Sequence, residues 1–184
     1  VFGLNATVVK FSKIKTYKDM KTLILMRHAK AVNADGLQSD FDRNLNERGK
    51  EDAAEMGQRL LGKKIIPDLI VCSAAKRTSK TAKIIADQLE YNEHNIQKEF
   101  ELYNCTVEEA IGVIRNVSDE NKTVILVGHN PAITSLAGYL TNEFVEGLPT
   151  AGQACIQFKE ISWKQVARNL GELIWVDVPK IPLH

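Results

Sequence analysis

The sequence predicts an α/β protein, a three-layer α/β/α sandwich around a mostly parallel central sheet with an antiparallel edge. Three observations carry that expectation. Continuous apolar runs occur at Leu23-Ile24-Leu25-Met26, Leu69-Ile70-Val71-Cys72 and Val124-Ile125-Leu126-Val127, as in strands buried on both faces. Each is followed by a segment of helical periodicity, and strands alternating with helices imply a parallel sheet covered on both sides. Near the C-terminus the pattern becomes simple alternation in two runs joined by a short polar segment, which predicts antiparallel pairing at one edge.

Residues 1–19 differ in character from the rest of the chain. Lys10, Lys13, Lys15 and Lys18 are interspersed with Val8, Val9, Phe11 and Ile14, and no turn signal closes an element. The stretch lacks the apolar core and small-residue cleavage site of a secretory signal. It is expected to be a loose N-terminal extension upstream of a natural start at Met20. A basic arm for a membrane surface or nucleic acid is the alternative. Residues 20–184 read as one domain.

Within that domain Asn46 is placed to cap a helix with Ala53, Ala54, Gly57, Leu60 and Leu61 on one face and Gly62 at its end. Pro67-Asp68 leads into the second strand. Ser73 is the expected cap of a second helix carrying Thr78, Ala82, Ile85, Ala86 and Leu89 at helical spacing. Thr106 and Glu109 form a capping box ahead of Ala110, Ile111, Ile114 and Val117. Asn130-Pro131 reads as an N-cap followed by proline at the first helical position, before Ile133, Leu136, Ala137 and Leu140. Ala154 to Ile161 and Gly171 to Val178 are the alternating strands.

Composition narrows the function classes. With 24 Lys plus Arg against 23 Asp plus Glu in 184 residues, no net field points to nucleic acid or acidic lipid as a partner. Cys72, Cys105 and Cys155 are odd in number and widely spaced, which predicts a reducing, cytoplasmic setting rather than a disulfide framework. No apolar stretch approaches the roughly 18 residues of a membrane span.

Chemistry concentrates where the strands end. Arg27-His28 follows the first apolar run, Lys76-Arg77 comes shortly after the second, and His129 ends the third. Ligands of open parallel sheets bind outside the carboxyl ends of the strands, so two imidazoles and two guanidinium groups can converge on one rim. Taken singly, Arg77 could be a solvated arginine, His129 a loop residue, and Arg27-His28 a solvent-facing pair. Arg77 falls in the first turn of its helix, where a cation opposes the dipole unless an anion sits beside it. His129 directly precedes a helix N-terminus, a ready anion site.

No G-x-S-x-G elbow or Walker loop occurs, and arginines beside two histidines disfavour a zinc dication. Metal-free phosphoryl chemistry fits, with a neutral imidazole as nucleophile. Surrounding positive charge keeps that imidazole unprotonated and stabilises the equatorial oxygens of the transition state.

The segment Leu25-Met26-Arg27-His28-Ala29-Lys30 resembles the signature of the histidine phosphatase superfamily, also called phosphoglycerate mutase-like. Ser73 to Ala82 and Val127-Gly128-His129-Asn130-Pro131 look like its second and third segments. Asp40-Phe41-Asp42-Arg43-Asn44-Leu45-Asn46-Glu47-Arg48-Gly49 resembles a D-x-x-R-x-L-x-x-x-G motif of the small branch similar to SixA phosphohistidine phosphatases. The resemblance implies the phosphoglycerate mutase-like fold and His28 as a nucleophile that becomes phosphorylated. It further implies Arg27 and Arg77 on phosphate oxygens and His129 completing the pocket. Arg43 then contacts substrate or pairs with Asp40 or Asp42, and Thr150 lies in a segment whose backbone nears the phosphate. Ala29 stands where the family usually has glycine. Asn130 occupies a position where some members carry an acid, which leaves Glu101 as the candidate general acid and Asn130 as a binding residue.

The implied activity is a phosphatase without metal or other cofactor, acting on a phosphorylated protein or a small phosphorylated molecule. Phosphohistidine in proteins is the first expectation, because its leaving group needs little acid help and the chain has no large insertion to cap a bulky metabolite. A broad phosphomonoesterase on the same site, or a catalytically silent phosphate-binding module, are the alternatives.

Overall fold

Strands β1 (Met20–Arg27), β2 (Leu69–Ser73), β3 (Gln97–Glu99), β4 (Thr123–Gly128), β5 (Gln153–Lys159) and β6 (Glu172–Asp177) form one sheet in the order β3-β2-β4-β1-β5-β6. The computed structural model describes residues 20–33 and 39–179, so the extension expected over residues 1–19 lies outside the described residues. β3, β2, β4 and β1 are mutually parallel, while β5 runs antiparallel to β1 and β6 antiparallel to β5. The mostly parallel sheet with an antiparallel edge is therefore as expected.

Helices α1 (Glu47–Gly62) and α2 (Lys76–Gln88) cover one face, packing on Ile24, Met26, Ile70, Cys72, Ile125 and Val127. Helices α3 (Val107–Arg115) and α4 (Ala132–Thr141) cover the other, over Leu23, Leu25, Val71, Val124 and Leu126. Alternate residues of the same strand thus feed two separate cores, the period-two consequence of the pleat. None of the described helices is long and apolar enough to cross a membrane.

Most local signals act as expected. The Asn46 side chain accepts from Gly49 N at 2.8 Å to start α1, and Thr106 and Glu109 close a reciprocal capping box on α3. Gly49 has a second reason to be glycine: a Cβ there would lie 2.1 Å from the Lys30 carbonyl oxygen. That contact seats the start of α1 against the chain just beyond His28.

Several expectations are corrected. On α1 the buried stripe is Gly49, Ala53, Met56, Gly57 and Leu60. Leu61 is rotated about 100° past Leu60 and is 52% exposed. Ser73 does not cap α2, whose N-cap is Ala75 without a side-chain bond. The N-cap of α4 is Pro131 rather than Asn130. The link between β5 and β6 is less polar in effect than in composition, because Trp163 and Val166 fold inward and are fully buried. The three-residue β3 has no counterpart in the sequence pattern, because so short a run carries no periodicity.

Candidate active site

The carboxyl ends of β1 and β4 lie side by side, and the turn entering β5 wraps them. His28 N donates to the Gly128 carbonyl at 3.0 Å, and the His28 carbonyl accepts from Ala151 N at 3.1 Å. Next to it, Ala29 N donates to Thr81 Oγ1 at 3.0 Å, whose hydroxyl donates to the Arg77 carbonyl at 2.7 Å. The backbone carrying His28 is therefore held from β4, from the β5 turn and from α2. Ala29, where glycine is the common pattern, is fully buried in the core under α1 and α2.

The imidazoles have assignable tautomers. His28 Nδ1 lies 2.8 Å from the Ala29 carbonyl; a carbonyl only accepts, so Nδ1 carries the proton and Nε2 keeps its lone pair. Arg77 Nε donates to that Nε2 at 3.3 Å. Arg77 Nη2 points at His129 Nδ1 at 3.2 Å, making Nδ1 the acceptor. His129 Nε2–H then donates to Ser73 Oγ at 2.9 Å. The two rings sit with centroids 5.1 Å apart.

Arg77 is 4% exposed and is the hub of the cluster. Besides both histidines it reaches the Asp40 carbonyl through Nη1 and Asp40 Oδ2 through Nη2 at 2.9 Å. Asp40 also accepts from the Tyr103 hydroxyl at 3.0 Å and pairs with Arg43 Nε at 3.1 Å. Arg27 Nη1 donates to the Leu148 carbonyl at 3.0 Å, which also accepts from Asn130 Nδ2 at 2.9 Å. Arg27 Nε is buried without a hydrogen-bond acceptor, and buried Arg43 Nε, although ion-paired, is not aligned for a hydrogen bond. That is a costly condition for charged donors.

Electrostatics keep both histidines neutral. Burial, then the charges of Arg77, Arg27 and Arg43, push His28 down to about 4 against the pull of its Ala29 bond. Burial and Arg77 push His129 down to about 3. For Asp40, burial is the largest influence and pushes it up, but the Tyr103 hydroxyl, Arg77 and Arg43 together bring it below its ordinary value. Asp40 is thus an ionised carboxylate at neutral pH, held by the guanidinium that would grip a substrate anion.

The structure brings Arg27, His28, Arg43, Arg77 and His129 together. Asn130 sits at their edge, its side chain divided between the Leu148 carbonyl and Thr134 Oγ1 at 2.9 Å. Thr150 lies in the turn beside Ala151, next to the His28 carbonyl. Glu101 is not part of the cluster. It is exposed on a 3-10 turn, Phe100–Leu102, and lines a separate cavity with Glu99, Glu109 and Val113. The short β3 steers the chain that way. Among the described residues no group of three His, Cys, Asp or Glu could hold a metal ion.

Three members of the cluster carry little or no signal in the sequence. Ser73 reads there as a helix cap at the start of a family-like segment, Asp40 as the first residue of the D-x-x-R motif and a partner of Arg43, and Tyr103 as nothing in particular; none is marked as a contact of His129 or Arg77. Tyr103 stacks edge-on against His129 at 5.6 Å and against Phe41 at 5.1 Å. Only the Asp40-x-x-Arg43 spacing offers a hint of this corner.

Comparison with known proteins shows the family. The family model for the histidine phosphatase superfamily (branch 1) matches residues 23–109. An uncharacterized chloroplast protein of Arabidopsis thaliana is 31% identical over 163 residues, covering 84% of this chain and 74% of that protein. The solved structure of a candidate phosphohistidine phosphatase SixA from Nakamurella multipartitia is 28% identical, with a TM-score of 0.75 over 87% of this chain and 96% of that one. Its counterpart from Agrobacterium tumefaciens, likewise 28% identical with a TM-score of 0.75, matches over 86% and 98%. The chain is a phosphatase of the histidine phosphatase superfamily, on its SixA-like branch.

Proposed function

We propose that the protein removes phosphate from phosphohistidine in proteins through a covalent intermediate on His28 Nε2. The observation that supports the nucleophile is the tautomer: Nδ1–H is bonded to the Ala29 carbonyl, so Nε2 is unprotonated, with its lone pair facing Arg77 Nε at 3.3 Å. Nε2 attacks phosphorus while the bond from phosphorus to the substrate nitrogen breaks. The substrate ring, already protonated from water on its other nitrogen, leaves as neutral imidazole. A second water then attacks phospho-His28, releasing inorganic phosphate and restoring Nε2. Arg77, together with the guanidinium groups of Arg27 and Arg43, supplies donors for the equatorial oxygens.

The leaving group follows from the acid inventory. Among the described residues the cluster offers no neutral carboxyl, since Asp40 is ionised and Glu101 lies elsewhere. A sugar alkoxide needs a proton from the enzyme in the transition state, whereas a phosphohistidine ring protonated from solvent on its other nitrogen leaves as neutral imidazole, whose conjugate acid has a pKa of about 6.5. The free thiols of Cys72, Cys105 and Cys155 fit a reducing compartment, the cytoplasm in the simplest case.

The test is hydrolysis of an aryl phosphate and a phosphohistidine peptide, with EDTA present, by wild type and His28→Ala. Release lost in the variant, with an acid-labile phosphate adduct trapped on wild type, supports the nucleophile, and preference for the peptide supports the substrate. Full activity in His28→Ala would overturn the mechanism. Preference for simple phosphomonoesters would move the substrate to small molecules.

A further inference from the structure

Beside the catalytic cluster runs an open groove of about 570 Å³ between α2, the edge strand β3 and the 3-10 turn Asp40–Asp42. Lys76, Lys80 and Lys83 line it from α2, and Lys98 from β3. Lys83 pairs with Glu93 at 3.2 Å. Lys76, Lys80 and Lys98 are exposed and have no acidic partner among the described residues. In a chain whose net charge is only +1, this is a local concentration of charge. One acidic residue, Asp42, lines the same groove, against the four lysines.

The groove is continuous with the site. Lys76 adjoins Arg77 in sequence, and Phe41 of the groove wall packs on Tyr103, which packs on His129. Phe41 also stacks at 6.0 Å on Phe100, which is 72% exposed. From Lys76 to Lys83 the helix rises about 10 Å, more than one further phosphate could span. Exposed aromatics are enriched at protein-binding surfaces, and spread cations beside them favour a partner of opposite charge.

We infer that this groove recognises an acidic stretch of a phosphoprotein flanking its phosphorylated residue, with Lys76, Lys80 and Lys98 setting substrate choice. The inference rests on the protein-phosphohistidine reading above. Carboxylates of the partner lie along the lysines while Phe100 and Phe41 cover its apolar side, and the phosphoryl group enters beside Arg77. The groove contributes to capture, so its effect falls on KM.

The test uses the full chain and the variant Lys76→Gln/Lys80→Gln/Lys98→Gln, assayed on an aryl phosphate and on phosphohistidine peptides with acidic or amide flanks. Wild type should prefer the acidic flanks by about 10-fold in kcat/KM, and the preference should vanish in the variant and between about 20 and 300 mM salt. Aryl phosphate turnover should be unchanged, which also reports correct folding. A wild type indifferent to the flanks, or a variant that keeps the preference, overturns the inference. If wild type turns over only the aryl phosphate, the substrate reading fails and the groove is judged by inhibition with an unphosphorylated acidic peptide. Inhibition about 10-fold weaker in the variant supports the groove. Equal or absent inhibition, or stronger inhibition by a single-stranded oligonucleotide, overturns it.

Discussion

Replacing Ser73 by alanine isolates what its hydroxyl does. Ser73 is fully buried; its Oγ accepts from His129 Nε2 at 2.9 Å and from Ala75 N at 3.3 Å. Alanine leaves both donors without an acceptor. Each orphaned buried donor costs about 1–3 kcal/mol, the longer bond at the low end, so a total of about 2–3 kcal/mol is expected. For a protein of this size that lowers Tm by about 5–10 °C. It also frees the His129 ring on one side, leaving Arg77 as its remaining polar anchor. Loss of such an orienting partner commonly costs about 10-fold or more in activity at metal-bound histidines, and a fall of similar size in kcat is expected here. The assay pairs thermal unfolding by circular dichroism with aryl phosphate turnover well below Tm. A drop of only a few degrees with kcat unchanged would refute the reasoning and return Ser73 to the role of a helix-start residue.

Other expectations rest on the same geometry. His28 and His129 should remain neutral from pH 8 to about pH 5, read from their ring resonances by NMR, because their values lie at about 4 and about 3; titration of either near 6.5 contradicts the site. Because both are depressed, the unfolded chain gains protons first, so their contribution to stability is full above about pH 6.5. It is lost as pH falls towards 4, which denaturant midpoints across that window will show. Asp40→Asn removes the charge that holds Arg77 and Arg43. Inhibition by inorganic phosphate or vanadate should tighten about 5-fold, a modest gain for a half-exposed carboxylate; weaker inhibition would mean that Asp40 holds Arg77 in its binding position. Gly49→Ala forces a methyl against the Lys30 carbonyl and should cost about 1–3 kcal/mol. Gly62→Ala meets nothing within 4 Å and should not lower Tm.

The readable part of this protein is what periodicity and strand ends encode. Buried strands announce themselves by unbroken apolar runs, so β1, β2 and β4, and with them Arg27, His28 and His129, can be placed from the sequence alone. Arg77 follows from its offset after β2. What cannot be read depends on contacts between distant segments. Ser73 sits where serine statistically caps a helix, and only the arrival of His129, 56 residues later, diverts its hydroxyl. Glu101 is an acid at a suggestive distance in sequence, but β3 and the following 3-10 turn carry it to another cavity. Asn130 looks like a cap because Asn-Pro usually is one; its amide is taken instead by Leu148 and Thr134.

The position of β1 has a consequence for how the enzyme is made. Its two neighbours in the sheet are β4 and β5, which begin at Thr123 and Gln153, so the strand bearing His28 emerges from the ribosome about a hundred residues before either. Until then β1 is an unpaired apolar ribbon with both edges open, the kind of surface that chaperones shield and that other chains can pair with. Neither the second imidazole nor the carbonyl that steadies Arg27 exists before that point. The cluster around His28 is therefore completed late in synthesis, when the two final flanks of β1 close around it, and a nascent chain halted at α3 would carry His28 without His129 or the Leu148 carbonyl beside it.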